Sequence, residues 1–173
     1  MKTLNEYIAE SLLDDEDLVM NDGVRSIVKS FIDTYYDVDT YTISKKANKD
    51  GKYEVSAGTV SVKVKKKDIT NLTNDMFVWD CVDEFSCTDC KELVSLEGAP
   101  RMANKFYCKL CNSLTNLVGA PKEVDSFDCS YCRKLVSLKG APKEARIFAC
   151  KKCGGKFTEM DILRVCKVIR LIV

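Results

Sequence analysis

The chain has 173 residues and not one histidine. Its absence removes the commonest general base and the donor that completes most mixed metal sites. Net charge is missing too, with 27 lysines and arginines set against 26 aspartates and glutamates. That balance leaves no electrostatic footprint for nucleic acid or an anionic membrane. No apolar run approaches the roughly 20 residues that span a bilayer, and the N-terminus lacks the apolar core of a secretory signal. There is neither a phosphate-cradling glycine loop nor an elbow around a nucleophilic serine. These absences exclude the familiar catalytic constellations and predict a protein that is not an enzyme, takes no cofactor and uses no membrane.

What the chain does have is cysteine, ten in all. Without a secretory signal they read as reduced thiols rather than a disulfide framework, which favours a cytosolic or virion-interior setting. Eight of them belong to a repeat with a period of 21 residues: FSCTDCKELVSLEGAPRMANK, FYCKLCNSLTNLVGAPKEVDS, FDCSYCRKLVSLKGAPKEARI, then FACKKC. Phe85, Phe106, Phe127 and Phe148 open the units. The pairs Cys87/Cys90, Cys108/Cys111, Cys129/Cys132 and Cys150/Cys153 follow, then Leu93/Leu96, Leu114/Leu117 and Leu135/Leu138, and Gly-Ala-Pro closes each unit. A period in this range is the mark of a solenoid.

Two readings compete for the eight paired cysteines. C-x-x-C units at this spacing can hold a tetrahedral zinc. Alternatively, each unit fits a leucine-rich repeat, as in Ala103-x-x-Phe106-x-Cys108-x-x-Cys111-x-x-Leu114 and Val124-x-x-Phe127-x-Cys129-x-x-Cys132-x-x-Leu135. The first cysteine then points inward from a short strand. The second takes the buried slot where asparagine otherwise bonds neighbouring backbone. Zinc explains the thiols but gives no reason for phenylalanine, leucine and Gly-Ala-Pro to recur in step, whereas a solenoid needs them all to bury each turn against the next. The solenoid is the better fit, and adjacent pairs could still capture a metal.

The units resemble short bacterial and phage leucine-rich repeats of the type L-x-x-L-x-x-x-P-x-x-(L/V)-x-x-F-x-C, over residues from about Ile69 to Cys153. The resemblance implies an α/β solenoid, a leucine-rich repeat coil with a parallel sheet on one side and no catalytic activity. A second resemblance lies at the N-terminus: Met-Lys-Thr-x-x-Glu-x-Ile-Ala-Glu is similar to the capsid-targeting peptide of tailed-phage internal head proteins. It implies cutting after the triplet Ile8-Ala9-Glu10, before Ser11, and residence in the virion interior, the host cytoplasm or both. Leu4, Tyr7, Ile8, Leu12 and Leu13 also read simply as a short amphipathic helix.

Five segments follow. Residues 1–20 hold that helix or targeting peptide. Residues 21–40 hold a second helix with a stripe of Val24, Ile27, Val28, Phe31, Ile32 and Tyr35, read as cap packing. Residues 41–80 form a β-rich N-terminal cap: period-two stretches flank an Asn48–Gly51 turn, and Ile69–Leu72 echoes Leu114–Leu117 as a degenerate first repeat. The lysines between Lys63 and Lys67 are a solvated strand edge rather than a phosphate site. Residues 81–153 are the repeats. Residues 154–173 form a C-terminal helical cap, opened by Thr158-Glu-Met-Asp161, carrying Ile162, Leu163, Val165, Cys166 and Ile169 over the last turn and ending in a short strand at Leu171-Ile-Val173.

A parallel sheet of this kind presents outward columns: Ser86, Tyr107, Asp128 and Ala149, then Thr88, Lys109, Ser130 and Lys151, with Leu110, Tyr131 and Arg133 at the rim. Exposed tyrosine and arginine suit binding hot spots. The expected function is a non-enzymatic module for a protein partner, centred on Tyr107, Lys109, Leu110, Asp128, Ser130, Tyr131, Arg133 and Lys151. The alternatives are a zinc-stabilised nucleic-acid-binding module, which the balanced charge disfavours, and a purely structural internal head protein.

Overall fold

A computed structural model describes residues 22–173. The segment read as a targeting peptide, with its Ile8-Ala9-Glu10 triplet, lies outside the described residues. Helix α1 (Asp22–Tyr35) leads into β1 (Tyr36–Asp37), the hairpin strands β2 (Thr42–Ala47) and β3 (Tyr53–Ser56), and β4 (Ser61–Val64). Strand β5 (Phe77–Trp79) precedes the repeat strands β6 (Cys81–Ser86), β7 (Met102–Tyr107), β8 (Glu123–Asp128) and β9 (Glu144–Ala149). Helix α2 (Glu159–Leu163) and β10 (Lys167–Ile172) end the chain.

The fold is a β-solenoid. Strands β4, β6, β7, β8, β9 and β10 lie side by side in one parallel sheet, and β1 runs antiparallel along the outer edge of β4. Repeat positions stack in register, Phe85 opposite Phe106, Phe106 opposite Phe127 and Phe127 opposite Phe148. The ladder continues beyond the strands: Cys108 N–H donates to Asp128 O at 2.9 Å, and Leu117 N–H to Lys139 O at 2.8 Å. Each turn thus satisfies its irregular backbone on the next turn, as buried amides must.

The core is columnar. The phenylalanine rings stack at 5.4, 5.6 and 5.2 Å between centroids, all fully buried. Beside them run the buried leucines and the paired cysteines. Gly119 shows why the turn ends in Gly-Ala-Pro. Its φ is +98°, and a Cβ there would overlap the Leu96 backbone of the preceding turn. Only glycine permits both the left-handed conformation and that approach. Gly98 meets the Leu72 backbone in the same way, and Val62 of β4 lies opposite Phe85.

The aromatic column continues into the N-terminal cap. Tyr36 packs beside Phe85 and edge-on to Trp79 at 5.3 Å, Trp79 meets Phe77, and Phe77 meets Phe31 on α1 at 5.8 Å. Helix α1 buries Val24, Val28 and Ile32, while Ile27 from the same stripe is exposed. At the other end Thr158 and Asp161 form the expected reciprocal cap of α2. The helix is shorter than the apolar spacing predicted. It buries Ile162 and, just beyond its end, Cys166, but leaves Leu163, Val165 and Ile169 exposed. The chain turns extended at Lys167 and pairs with β9. β-Branched Val168 and Ile169, beside an open sheet edge, favour a strand over a longer helix.

Candidate partner-binding face

Each repeat strand runs directly into its cysteine pair, and that junction shapes the outer face. The residue before the second cysteine has a positive φ in every repeat: Asp89 at 64°, Leu110 at 60°, Tyr131 at 64° and Lys152 at 51°. A left-handed conformation costs an L-residue about 1–2 kcal/mol. It is retained because the amide there joins the ladder: Leu110 N–H donates to Ser130 O at 3.1 Å, and Tyr131 N–H to Lys151 O at 2.7 Å. The next residue can then turn its thiol inward. Leu110 and Tyr131 themselves remain exposed.

The predicted first column is real, since Ser86 lies opposite Tyr107, Tyr107 opposite Asp128 and Asp128 opposite Ala149. Its last member, Ala149, is buried. The second column departs from expectation at Ser130, which is 3% exposed. Its hydroxyl accepts Lys151 N–H at 3.0 Å, and its own N–H donates to Asp128 Oδ1 at 2.9 Å. A short side chain recruited into the backbone ladder is not available to a partner, so Ser130 leaves the binding set. Tyr107, Lys109 and Asp128 are brought together: the Lys109 ammonium lies 3.8 Å from the Asp128 carboxylate and 5.6 Å from the Tyr107 ring. Lys152 lies over the Tyr131 ring at 5.7 Å. Arg133 and Lys151 are exposed but join neither cluster.

Sequence reasoning missed a groove at the other end of the strands. Ala103, Val124 and Ala145 are small buried residues in consecutive turns, and they floor an open hollow of about 450 Å³. Met102, Asn104, Asp125, Arg146 and Ile169 line it. The signal was the spacing of three between Ala103 and Phe106, Val124 and Phe127, and Ala145 and Phe148. It leaves two adjacent residues per strand outside the core, and the small inner residue supplies the depth. Charges of both signs surround the groove: Arg146 pairs with Asp125 at 4.0 Å, and Lys167 with Glu144 at 3.7 Å. Such exposed pairs contribute about 0–1 kcal/mol each, so they add little to stability.

The eight paired cysteines all line the interior and carry free thiols. Cys111 Sγ donates to Cys87 O at 3.1 Å, Cys132 Sγ to Cys108 O at 3.0 Å, and Cys153 Sγ to Cys129 O at 3.2 Å. In these three pairs the second cysteine therefore bonds the backbone of the turn before, the role anticipated for that slot. Burial pushes the Cys108 thiol well above its ordinary range and raises Cys90 to about 11, the setting of an inert core thiol rather than a nucleophile. Among the described residues, one group of three brings metal-capable atoms close together, namely Cys129, Cys150 and Cys153.

Among the described residues no helix is long and apolar enough to cross a membrane. No protein-family model, curated protein or solved structure matches the chain.

Proposed function

We propose that this chain is a non-enzymatic leucine-rich repeat module that binds a protein partner on the outward face of its sheet. The observation that carries the reading is the face itself, with an open groove at one end of its strands and the Tyr107–Lys109–Asp128 cluster at the other. Charges of both signs along it suit a protein surface, whereas a phosphate backbone selects a basic stripe. The thiol bonds from Cys111, Cys132 and Cys153 to the preceding turn support the leucine-rich repeat type, in which that slot serves the neighbouring backbone. The module works in a phage setting. Met1–Glu10 directs it into the capsid and is removed after Ile8-Ala9-Glu10, and the likeness of those residues to capsid-targeting peptides is the support.

Photo-crosslinkers placed at Tyr131 and at Val136, which lies in the Leu-x-x-Leu segment away from the strands, test the face. The expected result in infected cells is one discrete adduct from position 131 and none from 136. Equal labelling at both, or no adduct at 131, rejects the face. Intact mass of the chain from virus particles tests the setting: a product beginning at Ser11 supports it, and absence from particles removes it. Deleting residues 2–10 should abolish packaging while leaving the melting temperature nearly unchanged, as the targeting reading requires of a peptide that must be accessible to be recognised and cut.

A further inference from the structure

We propose that Cys129, Cys150 and Cys153 form a three-thiolate site for a thiophilic monovalent metal ion, with copper(I) as the ion that fits. The proposal is independent of the partner-binding reading. The three sulfurs lie within 4.8 Å of one another. Cys150 Sγ donates to Cys153 Sγ at 3.0 Å, a thiol–thiol contact added to the carbonyl bond that Cys153 shares in kind with Cys111 and Cys132. The trio is soft and lacks a fourth donor within the group, and the chain contains no histidine to supply one. Structural zinc closes with four ligands; thiolates alone suit copper(I).

One further feature sets this trio apart from the other thiols. Cys150 and Cys153 follow β9 near the end of the stack and keep 3% and 6% of their surface, while Cys87, Cys90, Cys108, Cys111, Cys129 and Cys132 keep none. An ion can therefore reach the trio from the side of Cys150 and Cys153. The metal displaces the thiol protons to solvent as it binds.

The full chain, reduced and stripped of metal, is titrated anaerobically with copper(I) against bathocuproine disulfonate. The expected result is one ion per chain, a sulfur-to-copper charge-transfer band and a three-coordinate X-ray absorption edge. Cys153→Ser and Cys150→Ser should weaken binding by more than about a hundredfold, beyond the roughly 10- to 100-fold effect of an outer-sphere partner. Cys166→Ser, a buried thiol outside the group, should leave it unchanged. Should the serine variants misfold, alkylation mapping of the parent chain decides: copper must protect Cys129, Cys150 and Cys153 and no others. Failure to hold copper against the competitor overturns the proposal, as does protection spread along the cysteine column. A tetrahedral cobalt(II) spectrum with tighter zinc binding overturns it as well.

Discussion

Phe127→Ala is the most direct test of the columnar core. The ring is fully buried between Phe106, at 5.6 Å, and Phe148, at 5.2 Å. Truncating a buried phenylalanine costs about 3–5 kcal/mol when the cavity cannot collapse. Collapse is hindered here because the backbone on both sides is tied into the ladder and the Gly-Ala-Pro turns already sit in contact. Two aromatic pairs are lost with the ring, each about 0.5–1.5 kcal/mol beyond area alone, which favours the upper part of the range. Domains are stable by only about 5–15 kcal/mol, so the variant should be marginal. At about 2–4 °C per kcal/mol for a chain of this size, its melting temperature should fall by about 10 °C or more. Phe127→Leu keeps much of the apolar volume but loses both ring pairs, so it should cost about 1–3 kcal/mol, less than the alanine. Ile169→Ala, at a residue 82% exposed, should stay within about 0.5 kcal/mol. Urea titrations followed by circular dichroism at a common temperature rank the three variants. A Phe127→Ala midpoint indistinguishable from the parent would mean that the phenylalanines are not the spine of the solenoid.

Gly119→Ala should destabilise by about 2 kcal/mol or more, because a positive φ is compounded by overlap with the Leu96 backbone. Gly58→Ala, with φ +57° but open space around it, should cost only about 1 kcal/mol, and equal losses in thermal melts would contradict the close approach. Leu110→Asn should stabilise by about 0.5 kcal/mol, since asparagine tolerates the left-handed region that Leu110 occupies; a lower urea midpoint counts against strain there. Cys111→Asn should fold with a loss of about 1–2 kcal/mol, the amide taking over the bond to Cys87 O, and a chain that fails to fold by circular dichroism would show that the slot is specific to sulfur. Burial holds the Cys90 and Cys166 thiols up at about 11, above the unfolded value of about 8.5. The folded state therefore binds more protons between those values. The contribution of these thiols is whole below about pH 8.5 and drains away as pH rises through 11. Midpoints should fall from neutral to strongly alkaline pH, with a shallower decline for Cys90→Ala; parallel declines for parent and variant would refute the assignment.

Most of the solenoid was legible in the sequence because its packing is periodic in the sequence. When each turn buries itself on the next, a residue's neighbour in space is its own repeat, so Phe106 and Phe127 could be paired from spacing alone. Helix α1 was legible for the local reason that Val24, Val28 and Ile32 share a face. What escaped depends on quantities that spacing does not carry. Ser130 faces the right way, but its hydroxyl is claimed by the Lys151 amide. The run from Ile162 to Ile169 has helical spacing, yet the free edge of β9 offered the chain a ladder of hydrogen bonds that outweighed it. Depth was invisible too, since the groove exists only because Ala103, Val124 and Ala145 are small. The eight paired cysteines are equivalent as letters. Only position at the end of the stack separates Cys150 and Cys153 from the rest.

The register of the stack carries one more consequence. Phe85, Phe106, Phe127 and Phe148 face one another strand by strand, so the molecule counts in whole periods. A duplication of 21 residues, the full repeat, inserts a rung whose every neighbour already knows how to receive it. A residue gained or lost inside a strand slides its phenylalanine off its partner, because side chains alternate. Extra length in a connecting segment is absorbed, since Val62 and Phe85 at one end, and Phe148 and Leu171 at the other, lie further apart in sequence than one repeat period and still stand opposite each other. The reach of the outer face is therefore set by the number of rungs, and changes in steps of about 4.8 Å, one strand spacing at a time.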